Sequence, residues 1–403
     1  MTKRLRLGVV GVSLAAVLFM IAGSLGVHAS GSDDGAYKQL GVYSEVLQRI
    51  RSEYVEEPNF EAVRNGALHG LLESLDANSS YLSPSEYKHF KERKSDQKAS
   101  LGASVSKRFG FAAVVAVVPG GPADKAGLST GDILEAVDGR STKDISLAEL
   151  KDMMTGEKGS SVSFSVVRPR KADPEKVTIT RDDVSLPGTQ ERMLESNIGY
   201  IKPGSFAKGK AQELAAKIKA VQSAGARKLI LDLRNNAEGD FNEGIAAANL
   251  FLDHGNITSL KGQTYARQDF NADPQKAITK LPLVVLVNHG TAGAAEVVAA
   301  AILENQRGDL LGDKTFGIGS VQKLIEVPDG SALILSIAKY YSPGGKAIQD
   351  VNVVPNILVA DNDDQDFSDD EEDTPNAESK PTPAQRADEQ LQRAIAVLKG
   401  KAS

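Results

Sequence analysis

Cysteine is absent from the 403 residues. That removes disulfides, thiolate nucleophiles and thiolate metal ligands, and leaves an oxidising compartment tolerated but unproved. Histidine is scarce: His28, His69, His89, His254 and His289 are scattered without metal-ligand spacing. No metal or other cofactor is therefore expected, and a histidine-dependent triad is a poor reading. Excess positive charge is missing as well. The formal net charge is -6, which argues against a nucleic-acid partner. No internal repeat is evident.

The acidity is concentrated in one place. Asp361 to Asp373 holds nine acidic and no basic side chains, so the remainder carries about +3 by the same count. With the Pro/Ser/Glu-rich stretch after it, this run offers almost nothing to bury beyond Phe367, and 359–382 reads as a disordered linker. The N-terminus has the opposite character. Lys3, Arg4 and Arg6 precede a largely apolar run from Leu7 to Val27, the layout of a secretory signal or an uncleaved membrane anchor. Val27-His28-Ala29 offers a small-residue cleavage site, so 1–29 is read as the export segment. The protein is expected outside the cytoplasm, periplasmic or otherwise extracytoplasmic, with residues 7–27 its one membrane contact if they remain as an inner-membrane anchor.

Between these ends the chain is long enough for two or three domains. Tyr37 to Lys94 carries apolar residues at helical spacing, and Ser83-Pro84-Ser85-Glu86 looks like a helix start. We read 35–95 as a helical region that could drive homo-oligomerisation. From 98 to 170 the pattern turns to short β-rich runs, Ala112 to Val118 and Ser161 to Val167, with turn signals and one helix near Leu147 to Met154. From 171 to 358, strand-like runs such as Lys228 to Leu233 and Leu283 to Val287 alternate with helical stretches such as Ala211 to Ser223 and Glu296 to Leu303, the signature of a mixed α/β sheet. Val321 to Val327 and Ala332 to Ala338 form a hairpin across Pro328-Asp329-Gly330. A last amphipathic helix, Ala384 to Leu398 within 383–400, docks back on the core or binds a partner. The fold class is multidomain α+β.

Two resemblances give these segments a function. Leu101-Gly102-Ala103-Ser104, Gly120-Gly121-Pro122-Ala123 and Ala126 through Leu134 resemble a PDZ domain of the bacterial protease type. The resemblance implies that an incoming chain end adds a strand to a sheet edge. Its carboxylate would be held by backbone N–H groups of Leu101, Gly102 and Ala103, opposite the helix bearing Leu147 and Leu150. The segment Asn197 to Ile357, with Leu229 to Asn236, Val284 to Asn288, Thr315-Phe316-Gly317, Gly319 to Gln322 and Tyr340 to Gly345, resembles the core of the C-terminal processing, or tail-specific, serine peptidases. That family implies a sheet-and-helix core of the crotonase or ClpP kind, and a serine nucleophile paired with a lysine base.

The same resemblance exposes what is missing. The nucleophile motif reads Gly290-Thr291-Ala292-Gly293-Ala294-Ala295-Glu296, with Gly293 where the serine stands. The lysine motif reads Phe316-Gly317-Ile318-Gly319-Ser320, with Ile318 in place of the base. Gln322 matches the glutamine that orients the lysine. The oxyanion turn reads Asn236-Ala237-Glu238-Gly239, where the carboxylate of Glu238 opposes a site meant to hold negative charge. Losing nucleophile and base together costs on the order of six decades in rate. Thr291, Ser320, Lys314 and His289 are nearby substitutes in principle, but each has an ordinary structural reading. The expectation is an exported, catalytically inactive member that binds protein C-termini or partners, an active paralogous peptidase among them, as adaptor, scaffold or regulator. The alternative is an active serine endopeptidase that processes exported proteins.

Overall fold

The computed structural model describes residues 34–93, 99–168, 173–360 and 388–400. The export segment and residues 361–382 of the expected linker lie outside them, while Val359 packs against the core and accepts a hydrogen bond from Gln390 at 2.9 Å. Among the described residues, no helix is long and apolar enough to cross a membrane.

Two compact units divide between Gly66 and Ala67. The described part of the first holds helix α1 (Asp34–Glu53) and the start of α2 (Phe60–Glu73). Arg49 binds Glu45 at 2.8 Å and Glu53 at 3.2 Å, pairs one turn apart that support an exposed helix by a few tenths of a kcal/mol each.

The second unit begins with the rest of α2, strand β1 (Ser80–Leu82) and helix α3 (Pro84–Arg93). Helices α1, α2 and α3 fill most of the 35–95 region, as expected, and one short strand interrupts them. Ser79 through Ser83 are all buried, which a one-sided helix cannot offer, and β1 pairs antiparallel with a later strand. Asp76 starts the extended segment by accepting the Asn78 and Ser79 N–H groups at 2.8 and 2.9 Å. Ser83 and Glu86 cap α3 reciprocally: Glu86 accepts the Ser83 N–H at 2.6 Å and Ser83 Oγ accepts the Glu86 N–H at 3.4 Å.

A β-rich module follows. Its strands are β2 (Ala99–Ser100), β3 (Ala103–Arg108), β4 (Phe111–Val117), β5 (Ile133–Val137), β6 (Arg140–Ser141), β7 (Thr155–Gly156), β8 (Ser161–Val167) and β9 (Glu175–Thr180), with helices α4 (Pro122–Lys125) and α5 (Leu147–Met153). The antiparallel sheet runs β3-β4-β5-β8-β9, so β3 is an edge strand. Along β8 Val162, Phe164 and Val166 alternate inward, and with Leu101, Leu134, Ile145, Leu147 and Leu150 they make the module's own core.

The larger α/β layer is built from β10 (Gln190–Leu194), β11 (Ile198–Lys202), α6 (Lys210–Ser223), β12 (Lys228–Asp232), α7 (Phe241–Asn249), β13 (Asn256–Lys261), β14 (Gln268–Asn271), β15 (Leu283–Val287), α8 (Ala294–Glu304), β16 (Asp309–Gly312), β17 (Ser320–Glu326), β18 (Ala332–Tyr341), β19 (Ile357–Leu358) and α9 (Glu389–Gly400). One sheet runs β10-β11-β12-β15-β16-β19, parallel from β11 onward. Its central strand is apolar at every position because both faces are covered. Leu283, Val285 and Val287 meet the cluster containing Leu214, Ala247 and Val298, whereas Val284 and Leu286 meet Leu391, Ala394 and Leu398 of α9. Arg234 clamps α9, reaching Asp232 at 2.7 Å and Asp388 at 2.8 Å, and Lys228 Nζ donates to the Leu398 carbonyl at 2.7 Å. A second sheet joins β1, β18, β13 and β14, with β17 hairpinned onto β18.

Candidate functional site

The turn into α8 places Gly293 at the helix N-cap with φ 62° and ψ -118°. A positive φ of this kind is strained for any residue with a side chain. A Cβ added there would meet nothing within 4 Å. The turn thus presents a position with room for a side chain and none present.

Three residues on, Glu296 is fully buried and its two oxygens organise the surrounding loops. Oε2 accepts the Gly293 N–H at 2.9 Å and the Ile318 N–H at 2.8 Å, so the positions matching nucleophile and base are tied to one atom. Oε1 accepts the Gly317 N–H at 2.8 Å and the Thr315 hydroxyl. Burial pushes the Glu296 carboxyl up to about 7, and the bonds from Thr315, Ile318, Gly293 and Gly317 pull the other way. Sequence reasoning quoted Glu296 as the end of the motif without seeing this role. The signal available was a carboxylate three residues after an N-cap position.

Ile318 offers only its backbone here. Gln322 Nε2 donates to Ser320 Oγ at 2.7 Å, and Asn78 Nδ2 reaches the same oxygen at 3.2 Å. The hydroxyls weighed as substitutes are occupied. Thr291, fully buried, donates to the Leu233 carbonyl at 2.9 Å and accepts the Asn288 N–H at 3.0 Å. Lys314 is exposed, and His289 pairs with Asp313 at 3.1 Å.

The turn containing Glu238 and Gly239 abuts the Gly293 turn through the Ala292 N–H, which donates to the Asn236 carbonyl at 2.9 Å. Gly239 has φ 144°, and a Cβ there would lie 2.4 Å from the Phe206 backbone, so only glycine fits. Glu238 points away from this backbone role: its carboxylate accepts the hydroxyl of Ser104 on β3. Thr130 reaches Asn235 at 3.4 Å, and the Arg108 guanidinium lies 5.7 Å from the Phe316 ring centroid. The β-rich module is thereby docked on the loops that carry the motif positions.

In the expected carboxylate loop, Gly102 has φ 72°, within 3.3 Å of Val184 for an added Cβ. The Leu101 N–H donates to the Met154 carbonyl at 2.9 Å and the Gly102 N–H to Ser100 Oγ at 3.2 Å. Ala103 starts β3 opposite Val117. Leu101, Leu147 and Leu150 are buried in the module core. Lys151 and Asn78 were not legible in the sequence, since a cation and an amide on exposed-looking segments carry no pattern until the fold gathers them.

Comparison with known proteins accords with this geometry. Residues 197–359 match the family described as Peptidase family S41, and residues 114–168 match a PDZ domain. The chain is 31% identical over 364 residues to the carboxy-terminal-processing protease of Bartonella bacilliformis, covering 89% of this chain and 83% of that one. It is 33% identical over 350 residues to the carboxy-terminal processing protease CtpA of Bacillus subtilis, covering 86% and 74%. The solved structure of a photosystem II D1 C-terminal processing protease is similar with a TM-score of 0.67 at 26% identity, covering 79% of this chain and 86% of that one.

Proposed function

The chain belongs to the C-terminal processing proteases of peptidase family S41, and from that premise we propose that it has kept the family's scaffold and PDZ domain while losing the chemistry, acting instead as an exported binder of protein C-termini. The observation that carries the reading is the Gly293 turn. A backbone shaped to present a side chain, with open space around it, presents none, and the base position beside it is Ile318. Peptide hydrolysis by this family's route needs a hydroxyl to attack and an amine to accept its proton, and both atoms are missing.

In this reading the module limits stay near 98–170 for the PDZ domain and 171–358 for the peptidase core, with residues 1–29 delivering the chain outside the cytoplasm. The protein serves as adaptor, scaffold or regulator, an active paralogous peptidase being one partner class. Self-association through the N-terminal helices is supported by the apolar side chains that α1 leaves exposed, Leu40, Tyr43 and Leu47 at one-turn spacing with Val46 beside them.

The test compares the full chain with a Gly293→Ser, Ile318→Lys, Glu238→Gly variant in degrading an unfolded protein. Cleavage by the variant alone is expected. Cleavage by the unmodified chain, absent from a mock preparation, would overturn the reading.

A further inference from the structure

His69 lies near the end of α2, within the second unit, and joins three elements. Its ring stands edge-on to Tyr81 of β1 with centroids 5.4 Å apart, and its Nε2 is 3.4 Å from Oε2 of Glu86 in the first turn of α3. The same Glu86 oxygen caps α3 by accepting the Ser83 N–H. This one pair closes residues 69–86 into a loop, and the middle of the loop is a strap, 74–79, fastened to the α/β layer. Ser79 Oγ accepts the Ser336 N–H at 3.1 Å, Ser336 Oγ donates to Asp76 at 3.1 Å, and Asn78 Nδ2 reaches Ser320 Oγ at 3.2 Å, where Gln322 also donates. Asn78 and Gln322 line a recess of about 320 Å3 beside α5, together with Phe90, Leu147 and Lys151. A smaller recess of about 170 Å3 opens on Glu86 itself.

The charges that face His69 are carboxylates from three helices: Glu73 of α2, Glu86 of α3 and Glu149 of α5. The cations beside them are engaged, Lys107 with Glu73 at 3.4 Å and Arg140 with Glu149 at 2.7 Å, and His89 on α3 faces Glu92 at 3.9 Å. The bond to Glu86 raises the imidazole above its ordinary 6.5, against the opposing effect of burial. Glu86 moves the other way. Burial pushes it up, but the bonds from His69 and Ser83 outweigh this and bring it down to about 2, so it stays ionised wherever His69 titrates. His69 is therefore the member of the pair that changes charge near neutrality.

We propose that the His69–Glu86 pair is a protonation-operated clamp on the 74–79 strap: the charged imidazole holds the strap, and with it Asn78, against Ser320 and Gln322, whereas the neutral imidazole lets it loosen and moves one wall of the recess beside α5. The sign follows from the direction of the shift. A group that binds its proton more tightly in the fold stabilises it fully below the ordinary value of 6.5, and the contribution disappears as pH rises through the raised value. The clamp is closed in mild acid and open in mild base. It operates whether or not the protein binds chain ends, because every group in it belongs to this chain.

The test is amide hydrogen exchange of the full chain at about pH 6 and about pH 8, with the pH dependence of the intrinsic rate divided out. Protection of the segment 74–82, in which the Asn78 and Ser79 N–H groups are bonded to Asp76, is expected to be about threefold lower at the higher pH, the size of one partly exposed ion pair. His69→Gln, which cannot charge, should show the lower protection at both values, and His69→Lys, charged at both, the higher. The His69 ring resonance, assigned by its loss in His69→Gln, should titrate above 6.5 in the unmodified chain and move down when Glu86→Gln removes its partner. A pH difference that persists in His69→Gln would assign the effect to another group, Glu296 among them, and overturn the clamp. Equal protection at the two values in the unmodified chain, or a ring that titrates at or below 6.5, would overturn it as well.

Discussion

The turn at Gly293 and the recess beside α5 hold their polar groups in opposite ways. At the turn Glu296 receives four donors from Gly293, Thr315, Gly317 and Ile318, and the open space beside Gly293 holds no side chain. In the recess Lys151 is exposed, and among the described residues its ammonium takes no hydrogen bond or ion pair. Buried polar groups need partners within the fold, whereas an exposed charge meets that need with water. The contrast separates a buried frame whose polar groups are taken within the fold from a recess whose cation faces solvent.

The largest effect should come from removing the frame. Glu296→Ala leaves three buried N–H groups and one hydroxyl without an acceptor, at about 1–3 kcal/mol each when unrelieved. We expect a loss of about 4 kcal/mol or more in denaturant unfolding, with faster amide exchange at Gly317 and Ile318. A loss below about 1 kcal/mol would mean that the frame is slack and the contrast with the recess is false.

Next in size is a pH dependence carried by the same group. The Glu296 carboxyl stands at about 7 in the fold, above its ordinary value of 4.5, so the folded state holds the proton more tightly than the unfolded one. Its stabilising contribution is fully present below pH 4.5 and disappears as pH rises through 7, a change of about 3 kcal/mol. Glu296→Gln, which does not titrate, should flatten that slope of unfolding free energy between pH 4.5 and 7.5. A slope unchanged by the substitution would assign the titration to another group.

The smallest concerns Gly293 itself. Serine at φ 62° meets no atom but pays for a strained backbone, so Gly293→Ser alone should cost about 1–2 kcal/mol and leave the fold intact. A cost above about 3 kcal/mol would show that the turn no longer accepts a side chain, and the view of a preserved nucleophile position would fail.

Much of the architecture was legible in the chain. Leu283 to Val287 reads as a strand because it is apolar throughout, and it is the central strand covered on both faces. The period-two pattern of Ser161 to Val167 gives β8 over the same residues. Ser80 to Leu82 was not legible, because three residues carry no periodicity and the strand exists only through its pairing with Leu333 and its neighbours on β18. At the site, the positions Gly293, Ile318, Gln322 and Glu238 could be named through the resemblance to the family's motifs, but the direction in which Glu238 points could not.

What the amino-acid sequence determined by itself was therefore local or motif-bound: which family the chain resembles, which atoms its site lacks, and which segments have apolar faces to bury. Those follow from residue identity and short-range period, which are written in the chain. The tertiary structure alone decided that one Glu296 oxygen joins two loops 25 residues apart, that Glu238 is turned to Ser104, and that Lys151 faces a recess without a partner. Each of these is a relation between groups distant in sequence, and its energy depends on the burial and geometry that only packing creates.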